Sequence, residues 1–199
     1  MEIIRWILVF IGMSTLAACR EIPYEASPLD PRLPNLSSTG TNTAGAYVDG
    51  YSWLVQNPTL INSHQFMICT NGDLPGTRIL MSKGIQIVES NPKQRDVGFF
   101  LGDLAVKSKN HFMALKDSVI NLDGISNYGI LILENATSDT LRHGVGKLYI
   151  RDVITKEGLE SFIVSGTFGF DIKNEGLNHT VYSGRFDFRI RDSNFCNAF

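Results

Sequence analysis

Apolar and polar residues alternate strictly in two stretches near the end of the chain. In the first stretch the apolar residues occupy even positions, namely Phe162, Val164, Phe168, Phe170 and Ile172. In the second stretch the even positions are again apolar, whereas the odd positions hold Arg185, Asp187 and Arg189. A period of two is typical of β-strands with one apolar and one polar face. We therefore predict two strands, and we expect the polar face of the second to point toward water.

The same two stretches contain a repeated motif, S-G-x-F-x-F, which begins at Ser165 and again at Ser183. An antiparallel pairing about Leu177 predicts three cross-strand pairs: Phe168 with Phe186, Gly166 with Phe188, and Gly184 with Phe170. An aromatic ring opposite a glycine restores packing that a glycine lacks in a strand. We interpret the repeat as the closing pair of core strands rather than as a ligand signature.

Shorter apolar runs bounded by turn residues predict further strands upstream. Residues 45–55 are typical of a hairpin, because Asp49-Gly50 favours a two-residue turn. We predict further strands at 64–70, 78–88 (broken at Lys83-Gly84), 130–133 and 147–154, an apolar stretch at 97–106, a polar loop at 91–96, and a connection at 173–180. The run at 130–133 has no polar position and is typical of a strand buried on both faces.

Residues 107–121 are ambiguous. Phe112, Leu115 and Val119 suit a helical spacing, yet strands at 111–115 and 118–122 fit as well, and we favour strands. The chain then has about nine or ten short strands and ends in a meander over 147–190. We predict a single all-β domain at 44–199, an antiparallel β-sandwich or a partly open barrel.

The amino terminus resembles a bacterial lipoprotein signal. A short apolar run, Trp6–Met13, precedes Leu16-Ala17-Ala18-Cys19, which resembles a lipobox. The resemblance implies that residues 1–18 are a signal peptide and that Cys19 carries acyl chains, including palmitate, that hold the protein on a membrane. Because Arg20 replaces the aspartate typical of inner-membrane retention, it implies the outer membrane.

Residues 19–43 are rich in proline and then in small polar residues, a composition typical of a flexible tether. The net charge of −2 provides no basic surface for nucleic acid. Two cysteines remain after Cys19, and two alternatives are open. Cys69 and Cys196 form a disulfide, worth about 4–5 kcal/mol in the chain-entropy model, or both remain free.

Two segments resemble a family of small lipoproteins of unknown function from Bacteroidota. Residues 39–53 resemble the family's opening T-G-x-N-T-x-G-x-x-V-N-G-x-x-W, with Asp49 in place of the usual Asn, and the S-G-x-F-x-F repeats resemble its end. The resemblance supports location and fold only. Bacteroidota also attach O-glycans at D-[S/T]-[apolar], a pattern similar to the sequences around Ser118 and Thr140.

The sequence contains no recognisable catalytic or cofactor motif. Its four histidines, His64, His111, His143 and His179, lack the spacing of a metal site, and we expect no metal or other cofactor. We predict a non-catalytic binding or accessory module that contacts a glycan or an envelope protein. The alternatives are a purely structural envelope protein and, less favoured, an enzyme of unrecognised type. The candidate ligand-contact aromatics are Tyr47, Tyr51, Trp53 and Tyr149, unless these side chains pack in the core.

Overall fold

The computed structural model describes residues 32–55, 66–70, 76–133, 140–155, 160–174 and 176–196. The predicted signal peptide, Cys19 and His64 lie outside these ranges. The strands are β1 (Thr43–Val48), β2 (Tyr51–Val55), β3 (Phe66–Thr70), β4 (Thr77–Val88), β5 (Asn91–Leu101), β6 (Ser118–Asp123), β7 (Asn127–Ile132), β8 (Thr140–Thr155), β9 (Phe162–Asn174), β10 (Leu177–Ile190) and β11 (Phe195–Cys196). A helix, α1 (Lys109–Ala114), and a 3-10 turn (Asp192–Asn194) complete the described elements.

Eight of these strands form a closed antiparallel barrel in the order β1, β2, β4, β5, β7, β8, β9, β10, with β10 returning to β1. Three strands lie outside the ring, because β3 pairs with β4, β11 pairs with β3, and β6 pairs with β8. The predicted all-β class, the approximate strand number and the meander from β8 to β10 are confirmed. The ring of eight strands is closed, so these strands leave no open edge of the kind that a sandwich has, whereas β6 and β11 outside the ring each pair with one strand.

Apolar side chains fill the inside of the barrel. A small space in the apolar interior is lined by Phe66, Ile79, Phe99, Phe112, Leu148, Ile150, Val164 and Phe186. The space they enclose is too small to hold a water molecule. An eight-stranded barrel has an interior of the size that side chains alone can fill, and here aromatic rings occupy it.

The first hairpin has the predicted turn. Val48 pairs with Tyr51, and the two residues between them, Asp49 and Gly50, have φ values of 53° and 84°. Left-handed backbone at both positions is typical of the type I′ turn, whose twist matches that of the flanking strands. The Asp49-Gly50 prediction is therefore confirmed.

The register predicted for the S-G-x-F-x-F hairpin is wrong, by two residues beyond the β-bulge and by three between the bulge and the turn. Phe168 lies opposite Gly184, and Phe186 lies opposite Gly166. The turn is shorter than predicted, since Asn174 pairs with Leu177, and a β-bulge between Val181 and Gly184 adds a residue to β10. As predicted, each glycine of the repeat lies opposite an aromatic ring, but the ring is a different one from the ring that we predicted. The rings of Phe168 and Phe186 still share the inner face, with centroids 6.3 Å apart.

Other local predictions need correction. Residues 91–96, predicted as a loop, begin β5, and most of 173–180 belongs to β9 and β10. The backbone groups of these polar hairpins pair with neighbouring strands beyond the apolar core. Because their side chains do not alternate between apolar and polar, the sequence does not predict these parts of the strands. The favoured strand at 111–115 is wrong, since most of it belongs to helix α1. Phe112 is the buried residue of this helix, and its ring centroid lies 5.7 Å from that of Phe162.

Cys69 on β3 and Cys196 on β11 are joined by a disulfide, with Cα atoms 4.7 Å apart. The chain end is also held by Asn194, whose side-chain amide donates a hydrogen bond of 2.7 Å to the Phe66 carbonyl. Phe195 lies against Phe112, with ring centroids 6.5 Å apart. Cys196 and Asn194 thus attach this part of the chain to β3 by a covalent bond and a hydrogen bond, and Phe195 packs against α1.

Candidate functional site on the outer surface

A segment that we predicted to be part of the tether is bound to the barrel. We call residues 32–42 the strap. Its centre surrounds the carboxylate of Asp187, which accepts hydrogen bonds from the backbone N–H groups of Thr39 (3.1 Å), Gly40 (2.8 Å) and Thr41 (3.2 Å). The hydroxyls of Ser37 and Thr41 donate to the same carboxylate. The ordered domain therefore includes the strap, and a tether can extend only through residues before it.

The strap also corrects the expectation that the odd positions of β10 face water. Arg185 and Asp187 are buried, as is Thr167 on the neighbouring strand. A second group of contacts joins the strap to β8, where Ser38 donates to Asp152 at 2.6 Å and Arg151 donates to the Ser37 carbonyl at 3.0 Å. Asp187, Asp152 and Arg151 bind the strap, so we assign these three side chains a structural role.

Replacing Asp187 by alanine is expected to lower the free energy of unfolding by about 2–4 kcal/mol, since hydrogen bonds to charged groups are worth about 1.5–3 kcal/mol each but are not additive. Thermal unfolding measures the loss, and hydrogen exchange shows whether residues 39–41 lose protection. Asp103→Ala is the matched control because Asp103 is exposed. Unchanged exchange in the strap of the Asp187 variant would contradict the assigned role.

The strap is expected to loosen in acid. Desolvation raises the pKa of Asp152, but hydrogen bonds from Ser38, Arg151 and Ser165 together with the Arg151 charge outweigh it, so the net pKa is lowered. A lowered folded-state pKa gives stability that is present above the unfolded pKa, about 3.9, and is lost as pH falls through the folded value. Hydrogen exchange of residues 37–41 should accelerate below about pH 4. Asp152→Asn should make that acceleration smaller, and an equal acceleration would refute this account.

The predicted ligand-contact aromatics do not form one site. Trp53 is inside the barrel and its indole N–H donates to the Arg95 carbonyl at 2.9 Å, and Tyr47 is buried against Tyr182 with centroids 5.1 Å apart. The prediction is therefore wrong for Trp53 and Tyr47, because both rings serve packing. Tyr51 is 38% exposed at the end of the first hairpin. Tyr149 is partly buried, and its hydroxyl group donates a hydrogen bond of 2.5 Å to the Asp117 carboxylate.

Ser118 and Thr140 begin β6 and β8, and both are partly buried. Their O-glycosylation stays a prediction.

The described residues contain no cluster of three or more histidine, cysteine or acidic side chains that could hold a metal ion. His111 is hydrogen bonded to Ser108 at 2.8 Å on the exposed start of α1, and His179 contacts Asp49 at 2.8 Å. Within the described ranges no hydrogen bond joins these two pairs to each other. In the same ranges, no helix has the length and apolar character needed to cross a membrane.

A different group of side chains comes together on the outer face of β4, β5, β7 and β8. We call Arg78, Phe100, Tyr128, Arg142 and His143 the arginine face. Arg78 pairs across the sheet with Phe100, which pairs with Tyr128. The rings form a row, with centroids 5.0 Å apart between Phe100 and Tyr128 and 5.0 Å between Tyr128 and His143. This row lies on the outside because the neighbouring residues Ile79 and Phe99 are buried in the interior.

A β-bulge in β8 supplies the second arginine. Gly144 pairs with Gly129 and Leu141 pairs with Leu131, so Arg142 and His143 together oppose Ile130. His143 has a φ of 67°, and its Nδ1 lies 2.7 Å from the Gly124 carbonyl oxygen. The bulge thus directs two consecutive side chains to the same face.

The pKa of Arg78 on the arginine face is lower than that of a free arginine. Burial lowers the pKa of Arg78, and the nearby positive charge of Arg142 lowers it further, against opposing effects of Tyr128 and Asp96. The Nε atom of Arg78 is buried without a hydrogen-bond partner. Asp96, whose pKa is raised by burial, accepts a 2.8 Å hydrogen bond from the Lys83 backbone. Sequence analysis missed this group because its members are separated by up to 65 positions and belong to four strands.

Comparisons with known proteins provide no relative: no family model, no curated protein and no solved structure matches this chain.

Proposed function

We propose that this protein is a lipid-anchored component of the cell envelope that binds a partner through the outer surface of its barrel, without catalysis. The observation that supports a binding role is the arginine face, where charged and aromatic side chains lie together on the outer surface of the barrel.

The anchoring role rests on the lipobox resemblance at Leu16-Ala17-Ala18-Cys19 and on the position of the strap. Residues 20–31 can span no more than roughly 40 Å in an extended chain. A lipid on Cys19 would then hold the barrel close to the membrane surface, and Arg20 favours the outer membrane. This arrangement presents the outer face of the barrel to other envelope components.

Metabolic labelling with palmitate tests the anchor. The full chain should incorporate label and fractionate with outer membranes, whereas Cys19→Ala should incorporate none. Cys196→Ala is the matched control because it removes a different cysteine and should still be labelled. Label in Cys19→Ala, or a full chain that is released without detergent, would refute the anchor.

Cross-linking in cells tests the partner-binding role. A binding module should give a defined cross-linked partner when photoreactive residues replace exposed positions around the arginine face. The same substitution at Lys173, an exposed position on β9, is the control. Equal, nonspecific cross-linking from both positions would contradict recognition through this surface.

A further inference from the structure

An apolar patch lies on the outer face of β2, β4 and β5. Ile85 and Ile87 are 43% and 55% exposed, and they point outward because Gln86 between them is buried. Leu54 on β2 pairs with Ile85. Pro92 on β5 pairs with Ile87. We call Leu54, Ile85, Ile87 and Pro92 the isoleucine patch. Scattered apolar residues are normal on a protein surface, whereas these isoleucines occupy consecutive outward positions of one strand and have apolar cross-strand neighbours.

The strap begins beside this patch. One row of cross-strand pairs crosses the sheet from β1 to β5 through Gly45, Leu54, Ile85 and Gln94. A Cβ atom added to Gly45 would clash with Pro34 of the strap and would lie 3.1 Å from the Leu54 side chain. Because neighbouring strands are about 4.8 Å apart, the start of the strap lies roughly 10 Å from Ile85. The strap and the isoleucine patch therefore share one side of the barrel.

This position determines which surface the proposed anchor brings closest to the membrane. Residues 20–31 connect Cys19 to the strap, and their reach is roughly 40 Å at most. The side of the barrel where the strap begins can approach lipid with the least extension of that segment. Attachment also raises the local concentration of lipid at the patch, so a contact that is weak by itself becomes populated.

The size of the patch favours lipid over a second protein. Ile85 and Ile87 together expose about as much surface as one fully exposed isoleucine. A stable protein interface buries about 800 Å² on each partner, which is far more than this patch supplies. On an anchored chain, burial of one isoleucine side chain favours the buried state by a factor of about ten or more. Lys83 and Glu89 are exposed on either side of the two isoleucines along the chain, so the contact is shallow.

We propose that the isoleucine patch lies on the lipid surface of the membrane that carries the acyl chains, with Ile85 and Ile87 inserted at the level of the headgroups. The inference rests on the proposed anchor and adds the orientation in which the anchor holds the barrel. It places β8, which lies opposite β2 in the ring of eight strands, on the side away from the membrane. Arg142 and His143 of the arginine face are then accessible to an envelope partner.

Collisional quenching on vesicles tests the orientation. The acylated protein, purified from membranes, is reconstituted on neutral phosphatidylcholine vesicles that contain lipids with a nitroxide near the headgroup. A fluorophore is attached at Gln94→Cys, beside the patch, or at Asn121→Cys, an exposed position on β6, which pairs with β8. Quenching should be severalfold stronger at Gln94→Cys. It should persist at high salt, because the contact is apolar and salt screens only charges. Equal quenching at both positions would overturn the proposal.

Substitutions then locate the contact. In the Gln94→Cys protein, the double substitution Ile85→Gln with Ile87→Gln should reduce quenching to the level measured at the control position on β6. The matched control is Val119→Gln with Val145→Gln, which removes two similarly exposed apolar side chains from β6 and β8 and should leave quenching unchanged. The replaced side chains are exposed, so both variants should fold. Unchanged quenching in the isoleucine variant would refute the assigned patch.

Flotation of the same vesicles separates this inference from the proposed anchor. Protein that does not float with the vesicles would refute the anchor and the inference with it. Protein that floats but is quenched equally at both positions would overturn the inference and leave the anchor intact. Energy transfer between chains labelled at Gln94→Cys, without quenching by lipid, would show that a second copy covers the patch, and this result would also overturn the inference.

Discussion

Replacing both Cys69 and Cys196 by serine is expected to lower the free energy of unfolding by about 4–5 kcal/mol, as the chain-entropy model predicts for a loop of this length. The two cysteines are separated by 127 positions, so the bond restricts most of the unfolded barrel. Urea denaturation of the full chain, with and without reductant, measures the difference. The midpoint of the wild-type protein should fall on reduction, while that of the double variant should not change.

A control separates the covalent bond from the packing of the chain end. Asn194→Ala removes the hydrogen bond to the Phe66 carbonyl but keeps the disulfide, and it should cost about 1–3 kcal/mol. If the disulfide contributes through the unfolded chain, the loss in the double cysteine variant should exceed that in Asn194→Ala. Mass spectrometry of the unreduced protein must show no free thiol at Cys69 and Cys196, and two alkylated cysteines there would end this account.

Phe168→Ala is expected to destabilise the protein by about 3–5 kcal/mol, the usual cost of deleting a fully buried aromatic ring. The Phe168 ring is buried, packs edge-on against Phe99 at 5.3 Å and covers Gly184 on the adjacent strand. Its loss would leave a cavity in the centre of a closed barrel, which cannot collapse easily. Chemical denaturation measures the cost, and Phe100→Ala on the outer face should cost less. A loss below about 1 kcal/mol would contradict this packing.

The glycine partner gives a second test of the same contact. A Cβ atom added to Gly184 would lie 2.5 Å from the Phe168 ring, so Gly184→Ala should cost about 1–3 kcal/mol through overpacking. In the double variant Gly184→Ala with Phe168→Leu, the smaller side chain leaves room for the added methyl group. The loss of stability in the double variant should therefore be smaller than the sum of the losses in the two single variants. Strict additivity would show that the two residues are not in contact.

The glycine and aromatic pattern of the S-G-x-F-x-F repeat predicted the kind of contact but not its partners. Alternation along β9 and β10 placed Phe168 and Phe186 on one face, and the structure keeps them there. The register depended on the two-residue turn and on the bulge between Val181 and Gly184. Beyond the bulge the shift is two residues, which keeps the side chains there on the same face, so the hydrophobic pattern cannot distinguish the alternatives.

The burial of the polar face of β10 could not be predicted from the sequence pattern. Arg185 and Asp187 have the sequence pattern of solvent-exposed strand residues, yet both are buried. Asp187 is covered because Gly40, 147 positions earlier, donates a hydrogen bond to it. The strap follows a proline-rich segment and is itself rich in small polar residues, a composition that predicts a tether. One buried carboxylate orders it by accepting several backbone N–H groups, which no local pattern reveals.

The sequence by itself determined the all-β class, the first hairpin with its Asp49-Gly50 turn and the final meander. Those features depend on alternation and turn chemistry between residues that are near one another in the chain. Only the tertiary structure decided that the sheet closes, that the strap is bound and that Arg78 and Arg142 share one face. These depend on pairings between distant strands, where loop lengths and bulges set which side chains meet.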